Sequence, residues 1–122
     1  MSDLASARRF ALRLPGAGEQ PHFDMNSFRV NGKIFATVPP DGGHLHVFVG
    51  EDETASCVAE DPRAFEPLRW GQRVRGLRIL LAAAADDRVA ELLAESWRRK
   101  ASKRLVAEFD AAPPGLRTLD SP

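Results

Sequence analysis

Five cations fall within seven residues in the last third of the sequence: Arg98, Arg99, Lys100, Lys103 and Arg104, with no acid among them. Guanidinium and ammonium groups gathered on one face neutralise phosphates by counterion release, giving salt-dependent affinity for nucleic acid without base preference. The same cations also suit the C-terminal half of a helix, where they complement its negative end. Arg29 and Lys33 flank Asn31-Gly32, and Arg69, Arg73, Arg75 and Arg78 follow further along. A hairpin tip can carry such residues to a phosphate or a minor groove. A lysine beside a turn equally protects a sheet edge.

Other chemistry is thinner. His44 and His46 lie two apart on one strand face, and His22 or Cys57 would have to complete a metal site, but no zinc-type spacing accompanies them. Cys57 has no histidine close by in sequence to activate it as a nucleophile. Gly16 and Gly18 follow a helix, whereas a dinucleotide loop follows a strand and opens a helix. The sequence has no Walker loop, no H-E-x-x-H and no G-x-S-x-G. Asp86-Asp87 reads as a helix start, and Trp70 and Trp97 read as core. The residues name no catalytic set, no metal site and no cofactor. An enzyme acting on a small metabolite would need a pocket lined by His22, His44 or His46.

The elements that must position these groups follow from periodicity. Leu4, Ala7, Phe10, Ala11 and Leu14 keep helical spacing behind Ser2 as N-cap, and Pro15-Gly16 stops the helix. Ser27–Val30 and Ile34–Val38 alternate around Asn31-Gly32, a strong hairpin signal. A two-residue turn there places Phe28 opposite Phe35. His44–Val49 is a further strand, Glu51–Glu60 a short helix with acids in its first turn, and Ala64–Trp70 and Val74–Leu81 two more strands. One long helix is expected from Asp87 to about Ala107, with Val89, Leu92, Leu93, Ser96, Trp97, Ala101 and Leu105 on its buried stripe. Residues 110–122 hold three prolines and Gly115 and read as a flexible tail.

At 122 residues, with 43% hydrophobic and 28% charged residues, the chain reads as one globular domain rather than a disordered segment. The apolar run Ile79–Ala85 is far too short to span a bilayer. Residues 1–10 do not read as a secretory signal, and one cysteine excludes an internal disulfide. A bacterial-type cytoplasmic protein is expected. Net charge is zero but unevenly spread: residues 39–67 hold one basic and seven acidic groups, and residues 68–104 ten basic and four acidic.

The ordered set Leu14-Pro15-Gly16, Glu19, His22-Phe23, Ser27–Thr37, Asp61-Pro62, Phe65, Pro67, Trp70-Gly71, Glu91-Leu92-Leu93, Ser96-Trp97-Arg98 and Ala101–Leu105 resembles the MmcQ/YjbR family of small bacterial proteins across about residues 5–109. The resemblance implies an α+β, two-layer fold similar to frataxin-like and secretion-chaperone-like domains, in the order α-β3-α-β2-α. Hairpin-linked strands point independently to an antiparallel sheet with helices on one face. The implied domain runs over 1–109 with a tail over 110–122. Family members are commonly labelled DNA-binding by fold analogy, without an established activity or cofactor. Ser102 departs from a frequent family proline, and the tryptophan common after the glycine of Val74-Arg75-Gly76-Leu77 is missing. The expectation is a non-catalytic module contacting DNA through Arg98, Arg99, Lys100, Lys103, Arg104, Arg29 and Lys33. The alternative is a protein-interaction domain that binds a partner through its sheet or helix face.

Overall fold

The computed structural model describes residues 1–111. The chain runs α1 (Leu4–Arg13), β1 (Gly18–His22), β2 (Met25–Val30), β3 (Lys33–Val38), β4 (His44–Val47), α2 (Glu51–Glu60), β5 (Phe65–Trp70), β6 (Arg73–Leu80), a 3-10 turn at Leu81–Ala83, α3 (Asp86–Arg98) and α4 (Lys103–Ala111). The six strands form one antiparallel sheet in the order β1-β2-β3-β4-β6-β5. The architecture is therefore α+β and two-layered, with α2 and α3 packed on the sheet and α1 packed on α3.

Strand alternation divides the sheet into two unlike faces. Phe28, Ala36, Leu45, Val47, Leu77 and Ile79 turn toward the helices and join Phe10, Leu92, Leu93 and Trp97 in the core. The other face carries a polar rung across all six strands: Gln20 opposite Ser27, Ser27 opposite Thr37, Thr37 opposite His46, His46 opposite Arg78, and Arg78 opposite Glu66. Among the described residues no helix covers this rung; long side chains such as Arg29 and Arg78 lie along it instead.

The implied order α-β3-α-β2-α gains a strand before α2, because Gly18–His22 pairs along β2 as an edge strand. Four further sequence expectations are corrected by local physics. Asp3, not Ser2, caps α1, its carboxylate accepting from Ser6 N at 2.8 Å. The Asn31-Gly32 turn forms with both residues at positive φ, but a bulge after it places Phe28 opposite Ala36 rather than Phe35. The expected long helix breaks between Arg98 and Lys103. There Ser102 N donates to Asn31 Oδ1 at 2.9 Å, and Ser102 Oγ accepts from Leu105 N at 3.3 Å as the cap of a new helix. Finally, Asp110 and Ala111 are the last residues of α4, so the expected tail boundary moves; the rest of that expectation falls on residues 112–122, outside the described residues.

Two small residues fit the layers together. Ser96 on α3 donates to Phe35 O at 2.5 Å and accepts from Phe48 N at 2.9 Å, satisfying two backbone groups where β4 leaves β3. A Cβ on Gly76 would run into the carbonyl of Val47, so only glycine permits β4 and β6 to lie this close.

Candidate functional site

The strand register places the β2–β3 and β5–β6 hairpin tips at the same end of the sheet. The hydrogen bond from Ser102 N to Asn31 Oδ1 brings the turn between α3 and α4 to that end as well. Cations 70 residues apart in sequence become neighbours: Lys33 beside one tip, Arg69, Arg73 and Arg75 around the other, and Arg99, Lys100, Lys103 and Arg104 on the turn. Lys103 and Arg104 occupy the first turn of α4, where positive charge opposes the helix dipole instead of complementing it. The reading of these cations as suited to the C-terminal half of a helix therefore fails for both. Among the described residues, neither is paired with a carboxylate.

The seven candidates do not act alike. Arg98 forms a two-pronged pair with Asp110, at 2.5 and 3.3 Å, and its guanidinium lies 5.2 Å from the Phe109 ring centroid. These contacts clamp α4 to α3, and the bond to Asp110 holds Arg98 firmly charged. Arg29 turns across the open face, donating to Ser27 Oγ at 3.2 Å and to His22 Nδ1 at 3.5 Å. Arg99 donates to Phe48 O at 3.1 Å and remains exposed. Lys33, Lys103 and Arg104 are exposed, and Lys100 is half-buried at the rim of a groove.

That groove opens between the two hairpins on the uncovered face. A concavity of about 310 Å³ is lined by Ile34, Thr37, His46, Phe48 and Leu68 and rimmed by Trp70, Arg75 and Lys100. A second, of about 320 Å³, shares Phe48, Trp70, Arg75 and Lys100 and continues to Gly50, Glu51 and Arg99. Trp97 is core, as the sequence suggests, but Trp70 is not: it is 60% exposed. The Arg75 guanidinium sits 5.0 Å from the Trp70 ring centroid, a cation–π contact that orients the indole at the rim. Sequence reasoning missed this pair. Its signal was the Gly71 turn, which pairs Trp70 with Arg73 and leaves Arg75 within reach.

The histidines divide. His22 and His46 line the groove, whereas His44 turns away to pair with Asp41 at 2.9 Å. Arg78 donates to His46 Nε2 at 2.8 Å, and because guanidinium is only a donor, the ring proton sits on Nδ1, facing Thr37 Oγ1 at 3.4 Å. Burial, reinforced by Arg78, lowers the His46 pKa to about 4, so its imidazole is neutral at neutral pH. Among the described residues no three His, Cys, Asp or Glu side chains gather as metal ligands. Cys57 is buried and accepts from Arg88 Nη2 at 3.2 Å; burial pushes its thiol pKa up despite that guanidinium, which disfavours the thiolate. Among the described residues no helix is long and apolar enough to cross a membrane.

A family model for YjbR matches residues 12–99, well over half of the chain. The chain belongs to the YjbR family. A similar solved structure is that of Deinococcus radiodurans protein DR2400, a DUF419-domain protein: TM-score 0.69 and 16% identity, over 98% of this chain and 94% of that one. At that identity the likeness establishes a shared YjbR-type fold. No curated protein matches the chain.

Proposed function

We propose that this YjbR-family protein is a non-catalytic nucleic-acid-binding module of the bacterial cytoplasm that grips phosphates with the cationic end of its sheet. The observation that carries the reading is the meeting of the α3–α4 turn with the Asn31-Gly32 tip through Ser102 N and Asn31 Oδ1. It sets Lys33, Arg99, Lys100, Lys103 and Arg104 on one end of a chain whose net charge is zero. A single free thiol is compatible with a reducing compartment. Fluorescence anisotropy with double- and single-stranded DNA across a salt series tests the reading. Expected is micromolar affinity with log–log salt slope of about −4, as for four or five phosphate contacts. A Lys100→Glu/Lys103→Glu/Arg104→Glu variant should lose it. Absence of binding to either DNA at low salt contradicts the reading.

A second reading, a protein-interaction domain, is favoured by Phe23. This side chain is 91% exposed at the β1–β2 tip and sits at φ 57, a backbone region that bulky residues rarely adopt. A partner or second copy that seats Phe23 would be lost on Phe23→Ser, read by mass determination in solution and by recovery from native extract. A strictly monomeric protein with no enriched partner counts against it.

A further inference from the structure

We infer that the groove between the two hairpins takes unpaired bases of single-stranded nucleic acid, one base stacking on Trp70 while Arg75 and Lys100 hold the flanking phosphates. The inference rests on the phosphate-gripping reading above and adds what the cations alone do not supply, a place for a base.

Three features of the groove carry it. Trp70 is a large aromatic left 60% exposed on an edge strand, with one ring face addressed by Arg75. Every base has a π-face, so an exposed indole beside cations is a sequence-tolerant platform for single strands. The floor below it, Phe48, Leu68 and Ile34, is apolar and suits a flat ring. Lys100 and Arg75 border both concavities, and the second reaches Arg99 on the basic turn, with Glu51 the one acid among the described residues of its lining. A concavity of about 310 Å³ falls in the small-ligand range of about 300–1,000 Å³. Bases of an intact duplex are stacked and paired, and reach such a groove only when splayed out.

His46 and Thr37 give the floor a polar edge. With Arg78 fixed on Nε2, the Nδ1–H of His46 and the Thr37 hydroxyl face each other. This edge is neutral, so it tolerates a base where a charged imidazole would add a cation deep in the groove.

The test compares a short oligothymidylate with a duplex of equal length, using the wild-type protein and Trp70→Ala and Trp70→Phe variants. Trp97 is fully buried, so Trp70 is the solvent-facing fluorophore. Expected is quenching of wild-type emission by the oligothymidylate and none in Trp70→Phe, which keeps a stacking ring. Affinity for the single strand should fall about tenfold in Trp70→Ala and largely survive in Trp70→Phe, with duplex affinity unchanged. Equal single-strand affinity in wild type and Trp70→Ala, alongside intact duplex binding, overturns the inference and leaves the phosphate-gripping reading standing. Failure of the wild type to bind either nucleic acid overturns both. So does a dimer or protein complex that Trp70→Ala dissolves when neither nucleic acid binds.

Discussion

The two faces of one sheet differ in what their residues do. The helix-covered face is a packed apolar layer in which Phe28, Leu45, Leu77 and Ile79 are essentially inaccessible. The uncovered face sets Ser27, Thr37, His46, Arg78 and Glu66 in a row; Ser27 Oγ donates to Gln20 O on β1, and from Thr37 to Glu66 each polar group is answered by the next strand. The first face gains its stability from apolar burial and tolerates little change. The second is held by hydrogen bonds that leave cations and an aromatic ring facing outward. The proposed function therefore draws on the face where packing contributes least, and on the end where two hairpins and a broken helix converge.

The largest expected contrast is between core truncation on the two faces. Phe28→Ala should cost about 3–5 kcal/mol, while Leu68→Ala on the groove floor should cost about 1 kcal/mol or less. Urea denaturation reads both, and equal losses would remove the distinction between the faces. Next, Ser96→Ala deprives Phe35 O and Phe48 N of their shared partner and should cost about 1–3 kcal/mol. A milder loss would mean that β3 and β4 satisfy themselves without α3.

The polar rung gives a pH signature. His46 has a folded-state pKa of about 4, below the ordinary 6.5. Between those values the unfolded chain binds the proton that the folded chain refuses. Its contribution is complete above about pH 6.5 and is lost as pH falls toward 4. His46→Gln, which can still accept from Arg78, should flatten that decline, as urea midpoints from neutral pH down to about 4 would show. The difference between the two proteins isolates His46 from the carboxylates of Asp41 and Glu66, which are present in both.

The smallest effect is the sharpest discriminator. Lys103→Glu and Arg104→Glu place acids in the first turn of α4 and should each stabilise the fold by about 0.3–1 kcal/mol. Thermal unfolding should rise while DNA affinity falls. Cations kept only for the fold would show no such opposition.

The local signals were legible in sequence: the Asn31-Gly32 hairpin, the acid-led α2, and the alternation that gives β6 its buried face. What escaped it depends on residues distant in the chain. The break after Arg98 requires Asn31 to receive Ser102 N from 71 positions away. Without that contact, the continuous stripe from Val89 to Leu105 reads as one helix. The bulge beside Phe35 was hidden because a turn type fixes only the first pairs. The basic site was half legible. Its cation cluster was visible as composition, but Arg98 was already engaged with Asp110, and the partnership of Trp70 with Arg75 was signalled only by the Gly71 turn, which fixes Trp70 opposite Arg73.

The central claim is that nucleic acid meets the uncovered face at its cationic end. Backbone amide chemical shifts recorded during titration with a short single-stranded oligonucleotide test it most directly. The account predicts shifts concentrated at Lys33, Phe48, the Trp70 indole, Arg75 and Arg99–Arg104, fading with added salt. Shifts confined to the outer faces of α1 and α2, or none at low salt, would contradict it.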